Sequence, residues 1–401
     1  MPNVIRKGSH KHMMRASDAW LALLFMFTAC HNWAALSRND GKDGGGADGG
    51  TTCLGCVDPN GGPYNYAFVT SKTYVPGSLG GLDGADAECQ TLAGAVPLPG
   101  HFKAWLATST VDAKDRLVTP NGTAARGWIR PDGRPFADSI GELLDGQMYF
   151  PLRLDESGND LIDATEDTTV ATGTEVDGTK AIGNTSADWT SSQVNYASGD
   201  PFATNIEWTG NHGSRLGTSV ARFYCFGVDH ATPLAVTSTA GRLAFLSNTT
   251  FVPTTEADAD SICIMEAHNN GRTGDFRALL SSRASPATLL YDLAGPTWVR
   301  LDGIPWLAQA SDLAQGKLLT TLNVQFSAAN QPAYAAYAEV WTGSATPGLP
   351  SATAEQDCSD WNSSTGSGTV GWAYESNGLA FLNRSLACND LTGPKLYCLQ
   401  R

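Results

Sequence analysis

Apolar residues recur along the chain in short runs, separated by loops rich in glycine, serine, threonine and asparagine. One run has helical spacing: from Asp83 onward, Cys89, Leu92 and Ala93 fall on one face, and the pattern ends near Gly94. Further helices are predicted at Phe136–Leu144 and Trp306–Ala314, and strands at Phe102–Leu106, Arg222–Phe226 and Lys395–Leu399. The pattern predicts an α+β fold with short strands, two helices per domain and long loops.

The pattern occurs twice. Four pairs of segments carry the repeat: Ala67–Ser71 and Ala244–Asn248, Ala85–Cys89 and Ala259–Cys263, Trp128–Gly133 and Trp298–Gly303, Phe223–Cys225 and Leu396–Cys398. The offset between partners stays between 170 and 177 residues, and the pair Asp188-Trp189 returns as Asp360-Trp361. Such a register indicates a duplicated unit. We therefore predict tandem domains at about 63–229 and 242–401.

The N-terminal part has a different character. A basic start is followed by the apolar run Ala19–Ala29, which is too short for a permanent membrane span, and then by Cys30. The segment Phe27–Cys30 is similar to a bacterial lipobox, which predicts a lipoprotein signal peptide at 1–30 and a lipid on Cys30. A plain secretory signal, with Cys30 incidental, is the alternative. Residues 31–62 are rich in glycine and aspartate, which predicts a flexible tether.

Composition agrees with two exported domains. The chain has 401 residues, of which 42% are hydrophobic, enough for two cores. Its net charge is −14, and without the first 30 residues the remainder holds 22 basic and 39 acidic side chains. An acidic surface repels phosphate, so nucleic acid is disfavoured as a partner.

The nine cysteines divide between these regions. Cys89 and Cys225 are 136 residues apart in the first copy, and Cys263 and Cys398 are 135 apart in the second, which predicts one equivalent disulfide in each copy. The second copy alone contains Cys358 and Cys388, which are predicted to pair with each other because both are missing from the first. Cys53 and Cys56 favour a local disulfide over a redox or zinc site, because the fold context and further ligands are missing.

The order of the four cysteines in the second copy resembles C-type-lectin-like domains, and the closer likeness is to endostatin. It is carried by Gly271–Arg283, Val340–Ser344, Cys358–Trp361 and Leu396–Cys398, and in the first copy by Gly80–Gln90 and Leu98–Leu106. Together these resemble the endostatin-like lipoprotein domains of leptospires and myxobacteria. The resemblance implies that the first cysteine pairs with the fourth and the second with the third, and that the domains bind ligands without catalysis.

Candidate metal ligands are sparse. Calcium-dependent lectins carry a Trp-Asn-Asp triplet where this chain has Leu382-Asn383-Arg384, and an arginine opposes a calcium ion. The loop Asp155–Asp167 is the remaining calcium candidate, with a solvated acidic loop as the alternative. No metal site, other cofactor or catalytic residue is assigned, since common catalytic motifs are missing from the sequence.

Ligand contact is predicted in the segment Asn323–Glu339, where Tyr334 and Tyr337 stand among small and polar residues. A strand with inward-facing tyrosines is the alternative. We expect a non-catalytic, adhesion-type lipoprotein of the bacterial outer membrane or cell surface, held to the membrane only by its N-terminal lipid. Its partner would be an extracellular or envelope protein or glycan. The alternatives are a hydrolase of envelope polymers that uses an Asp/Glu pair, and a purely structural envelope protein.

Overall fold

A computed structural model describes residues 53–58, 62–210, 213–353, 355–390 and 393–401. The predicted signal peptide 1–30, its Cys30 and most of the predicted tether 31–62 lie outside the described residues. Within the described ranges, no helix has the length and apolar character that a membrane crossing requires.

The first half is built on a five-stranded sheet. Its elements are β1 (Asn65–Val69), α1 (Gly81–Ala95), β2 (Phe102–Ala104), β3 (Trp128–Ile129), β4 (Pro135–Ala137), α2 (Ile140–Asp145), β5 (Val170–Ala171), β6 (Tyr196–Gly199), β7 (Ser214–Arg215) and β8 (Tyr224–Gly227). The sheet has the order β2-β8-β1-β3-β4, in which β1 runs antiparallel to β8 and parallel to β3. Strands β5, β6 and β7 form a separate small sheet.

The second half repeats this arrangement. Its elements are β9 (Arg242–Leu246), α3 (Glu256–Asn269), β10 (Phe276–Ala278), β11 (Trp298–Val299), β12 (Val324–Phe326), β13 (Pro332–Tyr334), β14 (Glu339–Trp341), β15 (Ser367–Trp372), β16 (Arg384–Ala387) and β17 (Tyr397–Gln400). Its main sheet has the order β10-β17-β9-β11, which is that of β2-β8-β1-β3, and β14-β15-β16 corresponds to β5-β6-β7. The predicted α+β class is confirmed, with several small sheets and few helices.

Disulfides join each first helix to an inner strand of its sheet, β8 or β17. Cys89 of α1 bonds to Cys225 of β8, and Cys263 of α3 bonds to Cys398 of β17, with Cα–Cα distances of 5.5 and 5.3 Å. Cys358–Cys388 and Cys53–Cys56 are also bonded. The predicted disulfide pairs are therefore confirmed in all four cases.

The repeated Asp-Trp pair lies in an unusual backbone turn. All four residues of Ser186–Trp189, and all four of Cys358–Trp361, have φ between 50° and 66°, which is a left-handed turn without glycine. This conformation costs about 1–2 kcal/mol per residue, so surrounding contacts must stabilise it. The buried Trp189 indole donates to the carbonyl of Ala107 at 2.7 Å, and Trp361 donates to that of Ser281 at 2.9 Å. The tryptophan of each copy is thus held by the same type of contact.

The predicted second helices were too long. In the first copy, Phe136 lies on β4, and the helix starts only at Ile140, because the Ser139 side chain caps it by accepting from the Glu142 amide. In the second copy, Pro305 forms a β-bridge with Val299 and the Trp306 amide donates to the Trp298 carbonyl, so the chain pairs with β11 where the helix was expected to begin. Only a 3₁₀ helix follows, at Ala310–Gln315. Strand pairing therefore replaces helix at the start of both segments.

The two halves pack directly against each other. The buried guanidinium of Arg153, in the first half, donates to the carbonyls of Leu318 and Ser376 in the second, each at 2.8 Å. Thr204 and Thr321 share a buried hydrogen bond across the same contact. Directional bonds between buried groups fix how these segments meet.

Residues 53–58, at the end of the predicted tether, also contact both halves. The Val57 amide donates to the Gly133 carbonyl at 3.1 Å, and the Arg134 side chain donates to the Leu54 carbonyl at 3.0 Å. Gly55 lies so close to Pro305 of the second half that a Cβ there would be 2.8 Å from the proline ring. This disulfide-closed loop is therefore docked on the folded part of the chain.

Candidate functional site

The candidate site is a pocket of about 350 Å³ in the second half, beside β14 and β15. Aromatic and charged side chains from three separate segments dominate its wall: Tyr337 and Glu339, Trp372 and Tyr374, and Lys395. Thr250 and the short turn Gly393–Pro394 complete the rim. Segments far apart in sequence therefore meet here.

Strand geometry explains why the aromatic rings gather. Glu339 pairs with Trp372 in the antiparallel ladder between β14 and β15. Tyr337 lies just before β14 and Tyr374 just after β15, and the Ala373 amide donates to the Ala338 carbonyl at 2.9 Å between them. The ladder thus assembles the aromatic wall.

The rings touch one another in favourable geometries. The Trp372 and Tyr374 rings stack with centroids 5.5 Å apart and planes 19° apart. The Tyr337 ring meets Tyr374 edge-on, with centroids 5.8 Å apart and an angle of 85°. Tyr337 is 48% exposed, whereas Tyr374 is only 4% exposed and forms the inner part of the wall. A ligand would meet Tyr337 and Trp372 before Tyr374.

The charged groups of the pocket are already engaged. Both oxygens of Glu339 accept from Arg384, whose Nε and Nη2 each lie 2.7 Å away. The Lys395 ammonium donates to the carbonyls of Ser247 and Asn248 at 3.1 and 2.6 Å. Burial lowers the pKa of Lys395. A ligand would therefore gain more from the rings than from these charges.

Three carboxylates lie behind the aromatic wall, where the two halves meet. Burial, together with the charges of Asp200 and Glu207, raises the pKa of Glu375 well above its usual value. Burial and Asp200 likewise raise the pKa of Glu207 to about 7. Burial raises the pKa of Tyr374, and so do Glu207 and Glu375 beside it. A raised pKa favours the protonated, uncharged carboxyl group, so burial reduces the negative charge that Glu207 and Glu375 place beside the pocket.

The structure separates the two predicted contact tyrosines. Tyr337 lines the pocket, but Tyr334 ends β13, is partly buried, and donates its hydroxyl to Asp302 at 2.9 Å. The Arg300 guanidinium lies 5.7 Å from the centre of its ring. Tyr334 thus matches the inward-facing alternative, and the two tyrosines do not form one contact surface.

Sequence reasoning missed Trp372 and Tyr374. Their spacing in Gly371–Glu375 alternates as a strand requires, and the same alternation links Tyr337, Glu339 and Trp341. Either segment alone predicts a strand with aromatic residues on one face. Only the pairing of the two strands brings the rings together.

The acidic loop Asp155–Asp167 does not converge on a metal position. Asp155 accepts from the amides of Ser157 and Asn159 at 2.9 Å each, and Asp160 accepts from Arg153 at 3.0 Å. Among the residues that the structure describes, no group of three histidine, cysteine, aspartate or glutamate side chains is placed to hold a metal ion. Donors of the protein itself occupy these carboxylates.

A larger cavity of about 970 Å³ lies between the Cys53–Val57 loop, Tyr64 and the linker residues Thr237–Thr239. Its wall adjoins residues 59–61, which are outside the described ranges. The smaller aromatic pocket is therefore the better-defined site.

Compared with models of known protein families and with curated proteins, the chain matches none. The functional assignment consequently depends on the geometry of the pocket and on the residues of the sequence.

Proposed function

We propose that the protein is a surface-anchored, non-catalytic binding protein built from two C-type-lectin-like domains of the endostatin kind. The repeated strand order supports this, as does the nested disulfide pairing of the second half, Cys263–Cys398 around Cys358–Cys388. That pairing, first with fourth and second with third, is the one that the resemblance implies. The predicted acidic exterior and long loops suit an extracellular module.

The anchor in this proposal is a lipid on Cys30, which would hold the protein at the bacterial outer membrane or cell surface. Mass spectrometry of the native protein should find Cys30 as the acylated first residue. A mature N-terminus at another residue, without lipid, would contradict the anchor and favour plain secretion.

The observation that carries the binding function is the aromatic pocket of Tyr337, Trp372 and Tyr374. Aromatic residues are enriched at binding sites because they bury much area while few torsions are frozen. Enzyme chemistry by an Asp/Glu pair has less support, since Glu375 is only 1% exposed and accepts from the Asn377 amide. A polymer substrate could not reach that carboxyl group.

Binding is tested by immobilising residues 31–401 and measuring what they retain from envelope or matrix extracts. The Tyr337→Ala variant should retain at least about tenfold less of the specific ligand, because aromatic anchors dominate binding energy. Its melting temperature should change little, since Tyr337 is half exposed. The whole exported chain is used because the two halves share buried hydrogen bonds.

Tyr334→Phe is the matched control. It removes the hydroxyl that bonds to Asp302 but leaves the pocket wall unchanged, so retention should equal that of the unaltered chain. Equal retention by the Tyr337→Ala variant would remove the pocket as the binding site. A structural role would then be favoured if neither form retained any ligand.

A further inference from the structure

The pocket offers three aromatic rings and few polar groups that still need partners. Glu339 is bound by Arg384 through both oxygens, and Lys395 donates to two backbone carbonyls. Sugar recognition needs several hydrogen bonds to ring hydroxyls, which these engaged groups supply poorly. Aromatic faces, by contrast, attract cations through their quadrupole without any hydrogen bond.

The net charge of the chain also favours a cation. The basic side chains at the pocket are balanced by acidic ones: Arg384 is paired with Glu339, and the charge of Glu266 acts on Lys395. The chain as a whole carries a charge of −14. Its long-range field therefore attracts an incoming ammonium group.

We propose that the pocket binds the ammonium side chain of a lysine, or of its N-methylated forms, presented by a basic protein partner. Tyr337 and Trp372 would contact the cation, and Tyr374 would support both rings. This inference rests on the proposed function, because it assigns a ligand class to the same pocket. A phosphate-bearing ligand such as phosphocholine is disfavoured, since the net negative charge of the chain would repel its phosphate.

The pocket volume fits this ligand. About 350 Å³ accommodates the four-carbon stem of lysine with its ammonium head, and the stem can lie along the tyrosine and tryptophan rings. Methylation increases the apolar area of the head while the charge remains. The N-trimethylated form should therefore bind at least as well as the unmodified one.

The test titrates the full exported chain, residues 31–401, and follows binding by calorimetry and by ligand-observed NMR. The probes are N-acetyl-trimethyllysine amide, choline, phosphocholine, and 3,3-dimethylbutan-1-ol, which has the shape of choline without the charge. We expect trimethyllysine and choline to bind at least about tenfold more tightly than the neutral alcohol, and phosphocholine to bind more weakly than trimethyllysine. Tenfold corresponds to about 1.4 kcal/mol.

Variants connect this binding to the pocket. Tyr337→Ala and Trp372→Leu should each weaken trimethyllysine binding at least about tenfold, whereas Tyr337→Phe, which keeps the ring, and Tyr334→Phe should preserve it. A melting temperature is measured for each variant. If Trp372→Leu fails to fold, Tyr337→Ala against Tyr337→Phe decides the question alone.

Each contrary result has one meaning. Equal affinity for the alcohol and choline would overturn the cation preference, and tighter binding of phosphocholine would overturn the lysine assignment in favour of a lipid source. If Tyr337→Ala abolishes retention of extract ligands but trimethyllysine does not compete for them, the ligand class is wrong while the proposed function stands. If Tyr337→Ala leaves both measurements unchanged, the pocket is not the binding site, and the proposed function loses the observation that carries it.

Discussion

Replacing Cys263 with serine should lower the free energy of unfolding by about 4–5 kcal/mol, because the bond to Cys398 closes a loop of 135 residues. In the loop-entropy model, a longer closed loop removes more conformations from the unfolded chain. Both cysteines are fully buried, one on α3 and the other on the inner strand β17. The same loss is expected for Cys89→Ser, because Cys89–Cys225 closes 136 residues at the equivalent place. Urea unfolding under non-reducing conditions measures both.

Cys53→Ser with Cys56→Ser is the control for these variants. That disulfide spans only three residues, so the same model gives about 2 kcal/mol, and less than half the effect of either long bridge is expected. The double replacement leaves no unpaired thiol to exchange with the other bridges. A larger loss from the short bridge than from Cys263→Ser would mean that docking of the 53–58 loop on Gly133 and Pro305, and not loop closure, dominates the stability.

The sequence predicts well those features that depend on a local pattern of residues or on the spacing of the cysteines. Helix α1 was expected from Asp83 to near Gly94 and spans Gly81–Ala95, because one apolar face and an acidic first turn specify a helix locally. The two long disulfides follow from nearly equal cysteine separations in the two copies, and Cys358–Cys388 follows from the absence of both cysteines in the first copy. A short segment is enough to predict the helix, and a comparison of the two copies is enough to predict these disulfides.

Features that depend on pairing between segments were missed. Phe136 and Trp306 have helix-compatible neighbours, yet each is held by the short strand that precedes it, β3 or β11, instead of by helical hydrogen bonds. The left-handed turn at Ser186–Trp189 could not be expected, because its residues disfavour that backbone and only the surrounding contacts maintain it. In the sequence, the repeated Asp-Trp pair nevertheless marks the position of this turn.

The candidate site shows the same division. Tyr337 is predicted as a ligand contact because it is an aromatic residue in a segment of small and polar residues, and this property is local. Trp372 and Lys395 were not selected, since their relevance arises only from the pairing of β14 with β15 and the approach of the Gly393–Lys395 segment. A single sequence does not show which distant segments come together in the folded chain.

Replacing Arg153 with methionine should lower the free energy of unfolding by about 3–5 kcal/mol. Its buried guanidinium donates to Asp160, at 3.0 Å, and to the carbonyls of Leu318 and Ser376. Methionine fills a similar volume but leaves all three acceptors without this donor. Buried acceptors that lose their donor cost about 1–3 kcal/mol each, and removal of one member of a buried pair costs about 3–5 kcal/mol.

Arg384→Met provides the comparison, because Arg384 also binds a carboxylate through two nitrogens but is about half exposed. Exposed pairs contribute at most about 1 kcal/mol, so this variant should unfold almost as the unaltered chain does. The location of Arg153 adds a second readout. Since two of its three bonds cross between the halves, its loss should weaken their coupling, and differential scanning calorimetry should show the unfolding transition broaden or split. A single sharp transition with unchanged stability in Arg153→Met would mean that the remaining contacts, such as Thr204 with Thr321, suffice to hold the halves together.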